Sequence, residues 1–170
     1  RQNQSPQLKP QFKEIKYLNS GSYGVTYTAK YRPYENHDFK NVIVKRNLYK
    51  KQVKDNGNIK FYSSVSLSEI DVLRKVSCPL TSRITGVYSE SDIEVIDSSR
   101  FDTLPLVREN IGENLYPDQF LIVMSDFGDK FDRNKVNPVY WPLLFQQLLM
   151  ALHMIHSNKA IHRDITINNV

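Results

Sequence analysis

Alternating apolar and polar positions predict strands in the first part of the chain. Residues 12–18 alternate as a half-buried strand does, and residues 25–30 are β-branched and aromatic. Residues 19–24 between them are rich in turn formers, so these three segments predict a hairpin. Residues 42–45 form a short apolar strand that ends on a lysine, and the basic, polar residues 46–63 are predicted to be mostly loop.

Two segments have the apolar spacing of a helix. In residues 65–76 one face of the predicted helix carries Glu69 together with apolar side chains, namely Val65, Val72, Leu73 and Val76. Residues 138–156 give the clearest helix of the chain, because large apolar side chains line one broad face and Pro138 suits the first turn.

The remaining segments complete the fold prediction. Residues 84–88 and 120–124 are predicted strands, and the acidic, irregular residues 90–118 are predicted to be a surface insertion. Residues 125–137 are polar and form a linker. We therefore predict an α+β fold, in which a small antiparallel sheet with one helix is followed by a linker and the first helices of a second unit.

Composition narrows the class of protein and its partners. Of the 170 residues, 40% are hydrophobic and 24% charged, which favours a globular chain, and the net charge of +5 favours a solvated basic face over a nucleic-acid site. Cys78 is the single cysteine, so no internal disulfide forms and a reducing, intracellular, cytoplasmic setting is favoured. No apolar run is long enough to span a bilayer. We therefore expect neither a nucleic-acid nor a membrane partner.

The loop between the first two strands is the first candidate for chemistry. It reads Asn19-Ser20-Gly21-Ser22-Tyr23-Gly24. Glycines let backbone N–H groups approach phosphate oxygens without a Cβ in the way. Two glycines in a hairpin also occur as a plain turn, so this loop alone is a weak signal.

Lys45 and Glu69 form the second candidate. A lysine at the end of a buried strand needs a partner, because burying an unpaired ammonium is costly, and Glu69 lies on the apolar face of the next helix. Two alternatives stay open. In the first, Lys45 simply points into solvent from the strand end. In the second, residues 66–69 fit a capping box in which Glu69 caps the helix start.

The most specific motif follows the second helix. His162-Arg163-Asp164 is followed by Asn169 after four further residues, which is the spacing of the catalytic loop in protein kinases. Phosphoryl transfer asks a protein mainly for positioning and charge stabilisation, and an Asp and an Asn at this spacing supply a base and a metal ligand. An accidental match requires that the preceding glycine loop, lysine and glutamate also be coincidence.

On these motifs the sequence resembles the eukaryotic-type protein kinases, from Phe12 to Val170. The resemblance implies a two-lobe kinase fold that binds ATP and Mg²⁺ and acts on a protein substrate, with residues 1–10 as a tail, 11–124 as the N-lobe, 125–137 as hinge and linker, and 138–170 as the start of the C-lobe. It implies catalytic roles for Asp164, Lys45 and Glu69, with Asn169 as a magnesium ligand. The nucleotide would contact Asn19, Ser20, Gly21, Ser22, Gly24, Thr26, Lys45, Met124, Ser125 and Phe127.

The chain departs from the kinase pattern at three positions. Asn19 replaces the first loop glycine, Thr26 replaces a valine, and Thr166 replaces the lysine of serine/threonine kinases. Serine/threonine specificity is favoured over tyrosine specificity only because it is the commoner of the two. These departures mark the sequence as divergent, and its Asn- and Tyr-rich composition is compatible with a large DNA virus or a protist. The alternatives are a pseudokinase that regulates a partner and a kinase-fold enzyme for small molecules, against which Arg163 argues.

Asp126-Phe127-Gly128 spells the magnesium-binding motif of kinases but precedes the catalytic loop, whereas the family's motif follows it. We therefore interpret these residues as part of the hinge. Because the family's motif would fall beyond Val170, we expect the 170 residues alone to be inactive.

Overall fold

The computed structural model of the chain describes residues 9–21, 24–50, 52–53, 59–60, 64–76, 78–102, 115–128, 132, 134–162 and 165. Strands and helices follow the predicted order along the chain. The strands are β1 (Gln11–Gly21), β2 (Gly24–Arg32), β3 (Lys40–Lys50), β4 (Gln52–Val53), β5 (Ile59–Lys60), β6 (Ile84–Ser89), β7 (Glu94–Val95) and β8 (Leu115–Ser125). The helices are α1 (Ser64–Lys75) and α2 (Trp141–Ser157), with 3-10 turns at Glu90–Asp92 and Pro138–Tyr140.

Six strands form one mixed sheet in the order β6-β8-β3-β2-β1-β7. All neighbours are antiparallel except β1 and β7, which pair in parallel, so the predicted purely antiparallel sheet is wrong at this one edge. Strands β4 and β5 pair with each other in a separate small hairpin. Helix α1 packs against β3, β6 and β8. The fold class is therefore α+β, as the sequence predicts.

The hydrophobic core covers one face of the six-stranded sheet. Since successive side chains of a strand point to opposite faces, alternate positions of each strand enter this core. Its strand residues are Phe12, Ile15, Val25, Tyr27, Ala29, Tyr31, Val42, Val44, Leu48, Leu121 and Val123. Burial raises the pKa of the Tyr27 phenol to about 12, so this hydroxyl remains a hydrogen-bond donor at neutral pH.

Residues 93–102, which we name the strap, contain the edge strand β7 and then cover this core. Phe101 is 5% exposed and packs edge-on against Phe12 and Tyr27, with ring centroids 5.5 and 5.3 Å apart. The Tyr27 hydroxyl donates to the Asp102 carbonyl at 2.8 Å. The prediction that residues 90–118 are only a surface insertion is thus wrong for the strap, because it supplies core side chains; residues 103–114 lie outside the described part.

The strap also holds an irregular stretch of β1. Glu14 has a positive φ of 53°, where β1 shifts its register against β2, and such backbone geometry needs support from its surroundings. The Glu14 N–H donates to Asp97 Oδ2 at 2.7 Å, and the Ile15 N–H donates to Ser99 Oγ at 3.0 Å. Hydrogen bonds, first from the Ser99 hydroxyl and then from the Glu14 N–H, lower the pKa of Asp97.

Two other sequence predictions need correction. Residues 46–63 are not mostly loop, because β3 runs on to Lys50 and the β4–β5 hairpin follows it. On α1, Val72 is 39% exposed, whereas Ser66 and Ile70 are buried, so the buried face is rotated from the predicted one. Glu69 and Leu73 are half-buried and Val76 is buried, as the predicted face requires, and the Val65 side chain lies outside the described part.

Helix α2 matches the predicted segment but leaves much of its apolar face open. The Asn137 side chain accepts from the Val139 N–H at 3.1 Å and starts the 3-10 turn that leads into the helix. Phe145 is 60% and Leu149 65% exposed, and Ala151 is the buried residue of the helix. No helix within the described ranges is long and apolar enough to cross a membrane.

If the strap is part of the core, truncating its aromatic ring must cost stability. We expect Phe101→Ala to lower the free energy of unfolding by about 3–5 kcal/mol, because it removes a buried ring and leaves a cavity. The matched control is Phe127→Ala, since Phe127 is 61% exposed, and its effect should stay within about 0.5 kcal/mol. Urea denaturation of both variants measures the difference, and equal losses would show that the strap is a surface loop.

Candidate functional site

The site is built on the face of β3 that points away from the hydrophobic core. Val44 and Arg46 face the core and the strap, so the two-residue period of the strand turns Lys45 and Asn47 toward α1. Both side chains reach Glu69 on that helix. The local sequence therefore positions one cation and one amide, two residues apart, in front of the same carboxylate.

Lys45 and Glu69 form the ion pair expected from their order in the sequence. Lys45 Nζ lies 2.6 Å from Glu69 Oε1, and each side chain is 26% exposed. Lys45 therefore does not simply point into solvent. Partly exposed ion pairs contribute only about 0–1 kcal/mol to stability, so this pair adds little to the fold. Both side chains keep contact with solvent, so the pair is only partly buried.

The capping-box alternative for residues 66–69 is wrong. Helix α1 begins at Ser64, two residues before Ser66, so Ser66 is not its N-cap residue. The Ser66 hydroxyl instead donates to Asp118 Oδ2, and the Glu69 carboxylate accepts from Lys45 and Asn47. Both side chains face the sheet rather than the end of the helix.

The glycine hairpin begins directly beside Lys45. Gly21 pairs with Gly24 across β1 and β2, and Thr26 pairs with Lys45 across β2 and β3. Asn19 Oδ1 accepts from the Ser20 N–H at 2.7 Å, so that N–H is already occupied within the loop. Ser22, predicted to contact the nucleotide, lies outside the described residues.

The two glycines of the hairpin have different steric surroundings. A Cβ on Gly24 would lie 2.6 Å from the Arg46 carbonyl oxygen, which is closer than real contacts allow, and 3.2 Å from Asn47 Oδ1, which is a tight contact. A Cβ on Gly21 would meet nothing within 4 Å. Only Gly24 is therefore required for close packing of β2 against β3.

The predicted hinge follows β8 at the edge of the sheet. Met124 is half-buried and lies opposite Ile43 on β3 and Ile84 on β6. The Ser125 N–H donates to the Arg83 carbonyl at 3.0 Å, and Phe127 is exposed. A cavity of about 550 Å³ borders Ser125, but its lining includes neither Lys45 nor Glu69.

Asp126 takes part in a turn. Its Oδ1 accepts from the Gly128 N–H at 2.9 Å, and Gly128 has a φ of +93°, a conformation that suits glycine. This geometry shows a turn after β8, and the interpretation of residues 126–128 as hinge stays a prediction.

The residues of the predicted catalytic loop lie mostly outside the described part of the chain. Asp164 and Asn169, together with Arg163 and Thr166, lie outside the described residues. Among the residues that are described, no three His, Cys, Asp or Glu side chains come together as a metal-ligand set. The site that the structure brings together therefore consists of Lys45, Glu69 and the neighbouring hairpin.

Sequence reasoning missed three polar residues behind the ion pair, namely Asn47, Ser66 and Asp118. The sequence alone does not mark them, because Asn47 follows two cations rather than an apolar residue and the burial of Ser66 is visible only in the folded chain.

Comparison with known proteins finds a distant similarity. No protein-family model matches the chain. It is, however, similar over 169 residues, 99% of its length, to a protein kinase. That relative is the probable serine/threonine-protein kinase glkA of Dictyostelium discoideum, at 27% identity. The chain spans 28% of the length of this relative. The similarity supports a kinase-like relationship, and it gives no support to a viral source.

The steric difference between the glycines is testable. We expect Gly24→Ala to destabilise the protein by about 1–3 kcal/mol, because the added methyl group would press on backbone atoms of β3 that cannot turn away. Gly21→Ala is the matched control and should change stability by no more than about 0.5 kcal/mol. Thermal unfolding of both variants measures the effect. A destabilisation by Gly21→Ala as large as that of Gly24→Ala would contradict the described packing.

Proposed function

We propose that the protein containing this chain transfers phosphate from ATP to serine or threonine hydroxyls of a protein substrate. The observation that carries this proposal is the contact of 2.6 Å between Lys45 and Glu69, beside the glycine hairpin. The similarity to a serine/threonine kinase, which extends over 99% of the chain, supports it.

Each part of the pair would have a defined role. The Lys45 ammonium has three N–H donors. One is directed to Glu69, and the other two would donate to phosphate oxygens of ATP. Glu69 would fix the direction of the Lys45 side chain, because its carboxylate accepts a hydrogen bond from the ammonium. The hairpin would cover the phosphates through Gly21, Ser22 and Gly24, and adenine would contact backbone groups from Met124 to Phe127.

The chemical step would use residues outside the described part. Asp164 would accept or orient the proton of the attacking hydroxyl, and Asn169 would hold the magnesium ion that neutralises charge on the phosphates. On this proposal, residues 11–124 form an N-lobe, 125–137 the hinge and linker, and 138–170 the start of a C-lobe.

A pseudokinase is the second candidate, and one observation favours it. The N–H of Ser20 is bound to Asn19, at a loop position where the kinase pattern has a glycine. That N–H would have to leave Asn19 before it could bind a phosphate. A regulatory protein that keeps the fold without transfer would tolerate this arrangement.

Charge reversal of the ion pair separates these functions. In the complete protein that contains the chain, we expect Lys45→Glu or Glu69→Lys to lower kcat more than it raises KM for ATP. The reason is that Lys45 would hold the α- and β-phosphates in the orientation that transfer requires. Lys75→Glu is the matched control, since Lys75 pairs with Asp71 at the same distance of 2.6 Å on an exposed face of α1. Transfer of radiolabelled phosphate to a generic protein substrate gives both constants. Normal turnover in the Lys45 and Glu69 variants would refute the role.

A second experiment tests Asp164. We expect Asp164→Asn to lower the rate of phosphate transfer by about 10²–10⁴-fold, because the amide cannot take up a proton, while ATP affinity is largely kept. Measuring transfer and ATP binding on the same preparation separates the two effects. Undiminished transfer by the variant would refute the Asp164 assignment, and an inactive wild-type protein that still binds ATP would favour the pseudokinase.

A further inference from the structure

A chain of buried polar side chains lies directly behind the Lys45–Glu69 pair. Asn47 is 2%, Ser66 1% and Asp118 6% exposed. They come from three different elements, β3, α1 and β8, so their contacts join the helix to two strands of the sheet.

The hydrogen bonds that these three side chains make with one another and with Glu69 run in one defined direction. Asn47 Nδ2 donates to Glu69 Oε2 at 2.8 Å and to Ser66 Oγ at 3.1 Å. The Ser66 hydroxyl in turn donates to Asp118 Oδ2. Because both carboxylates only accept, the amide nitrogen must face Glu69, and the hydroxyl proton must face Asp118.

Asn47 also contacts the glycine hairpin. With its amide nitrogen turned to Glu69, its Oδ1 lies against Gly24, where it is buried and has no hydrogen-bond partner among the residues that the structure describes. A buried acceptor with no partner costs stability, and an apolar side chain of the same size would avoid that cost. The arrangement is therefore poorly explained as a device for stability alone.

We propose that Asn47, Ser66 and Asp118 are positioning residues that hold α1 at the place where Glu69 meets Lys45. Lys45 occupies one carboxylate oxygen of Glu69, and Asn47 occupies the other, so the carboxylate is fixed from two sides. Ser66 and Asp118 anchor the first part of the helix to β8. The benefit of this positioning for catalysis rests on the proposed function. The positioning of α1 itself is a property of the folded chain and does not depend on that function.

A zero-length carbodiimide cross-linker measures this positioning without any nucleotide. It joins an amine to a carboxylate only when the two are in contact, so the Lys45–Glu69 cross-link reports the docking of α1 on β3. The Lys75–Asp71 pair provides an internal reference, because its 2.6 Å contact lies within α1 and depends only on the helix being formed. Peptide mass spectrometry gives the ratio of the two cross-links.

We expect Asn47→Leu to lower this ratio at least about threefold, because Glu69 loses a donor to its charged group. Asp118→Leu should act in the same direction, whereas Asp118→Asn keeps an acceptor for Ser66 and should retain most of the ratio. The matched controls are Asn41→Leu on the exposed part of β3 and Ser68→Ala on the exposed face of α1, and neither should change it. If Asn47→Leu does not fold, Ser66→Ala, which removes a single oxygen atom, carries the test.

The results separate positioning from plain stability and from the proposed function. If folded Asn47 or Ser66 variants melt at a lower temperature but keep the wild-type ratio, the residues are only structural and the inference is overturned. If the ratio falls while the wild-type protein transfers no phosphate and binds no ATP, the positioning stands and the proposed function fails.

Discussion

The two-residue period of β3 sets the geometry on which the site depends. Lys45 and Asn47 share a face, and both contact the Glu69 carboxylate, one on each oxygen. Arg46 between them turns to the other face, where its Nε donates to the Asp118 carbonyl at 2.9 Å and its guanidinium pairs with Glu90 at 2.8 Å. Both cations of this short segment are thereby paired, on opposite sides of one strand.

The sheet divides its work between its two faces. The face covered by the strap holds the main apolar core, whose burial supplies most of the driving force for folding. The face that meets α1 carries polar side chains in contact with the helix. The fold tolerates the desolvation cost of these polar groups because most of the stability of the sheet comes from the opposite face. The irregular stretch of β1 around Glu14 is held by the strap through Asp97 and Ser99, at the edge of the sheet away from α1.

Sequence reasoning reached the parts of the fold that have a regular period. The five longer strands, both helices and the Lys45–Glu69 contact followed from alternation, helical spacing and motif order, whereas the short strands β4, β5 and β7 were not predicted. The strap was missed because its residues are close in sequence to acidic, irregular ones, and only the tertiary contact of Phe101 with Phe12 and Tyr27 reveals it as core. The hydrogen-bonded set of Asn47, Ser66 and Asp118 was missed for a similar reason, because these residues are far apart in sequence and no local pattern links them. The roles of Asp164 and Asn169 remain predictions.

The adjacent cations on β3 make its register unusually well defined. A slip of one residue would turn every side chain of the strand to the other face, so Arg46 would replace Lys45 opposite Glu69 while Lys45 entered the apolar core. A cation would still face the helix, but Asn47 would leave its position and Arg46 would lose both the Asp118 carbonyl and Glu90. Misregistered β3 therefore leaves buried charges without partners. The folding chain can discriminate against this register, although the continuous apolar run at residues 42–44 alone would fit either register.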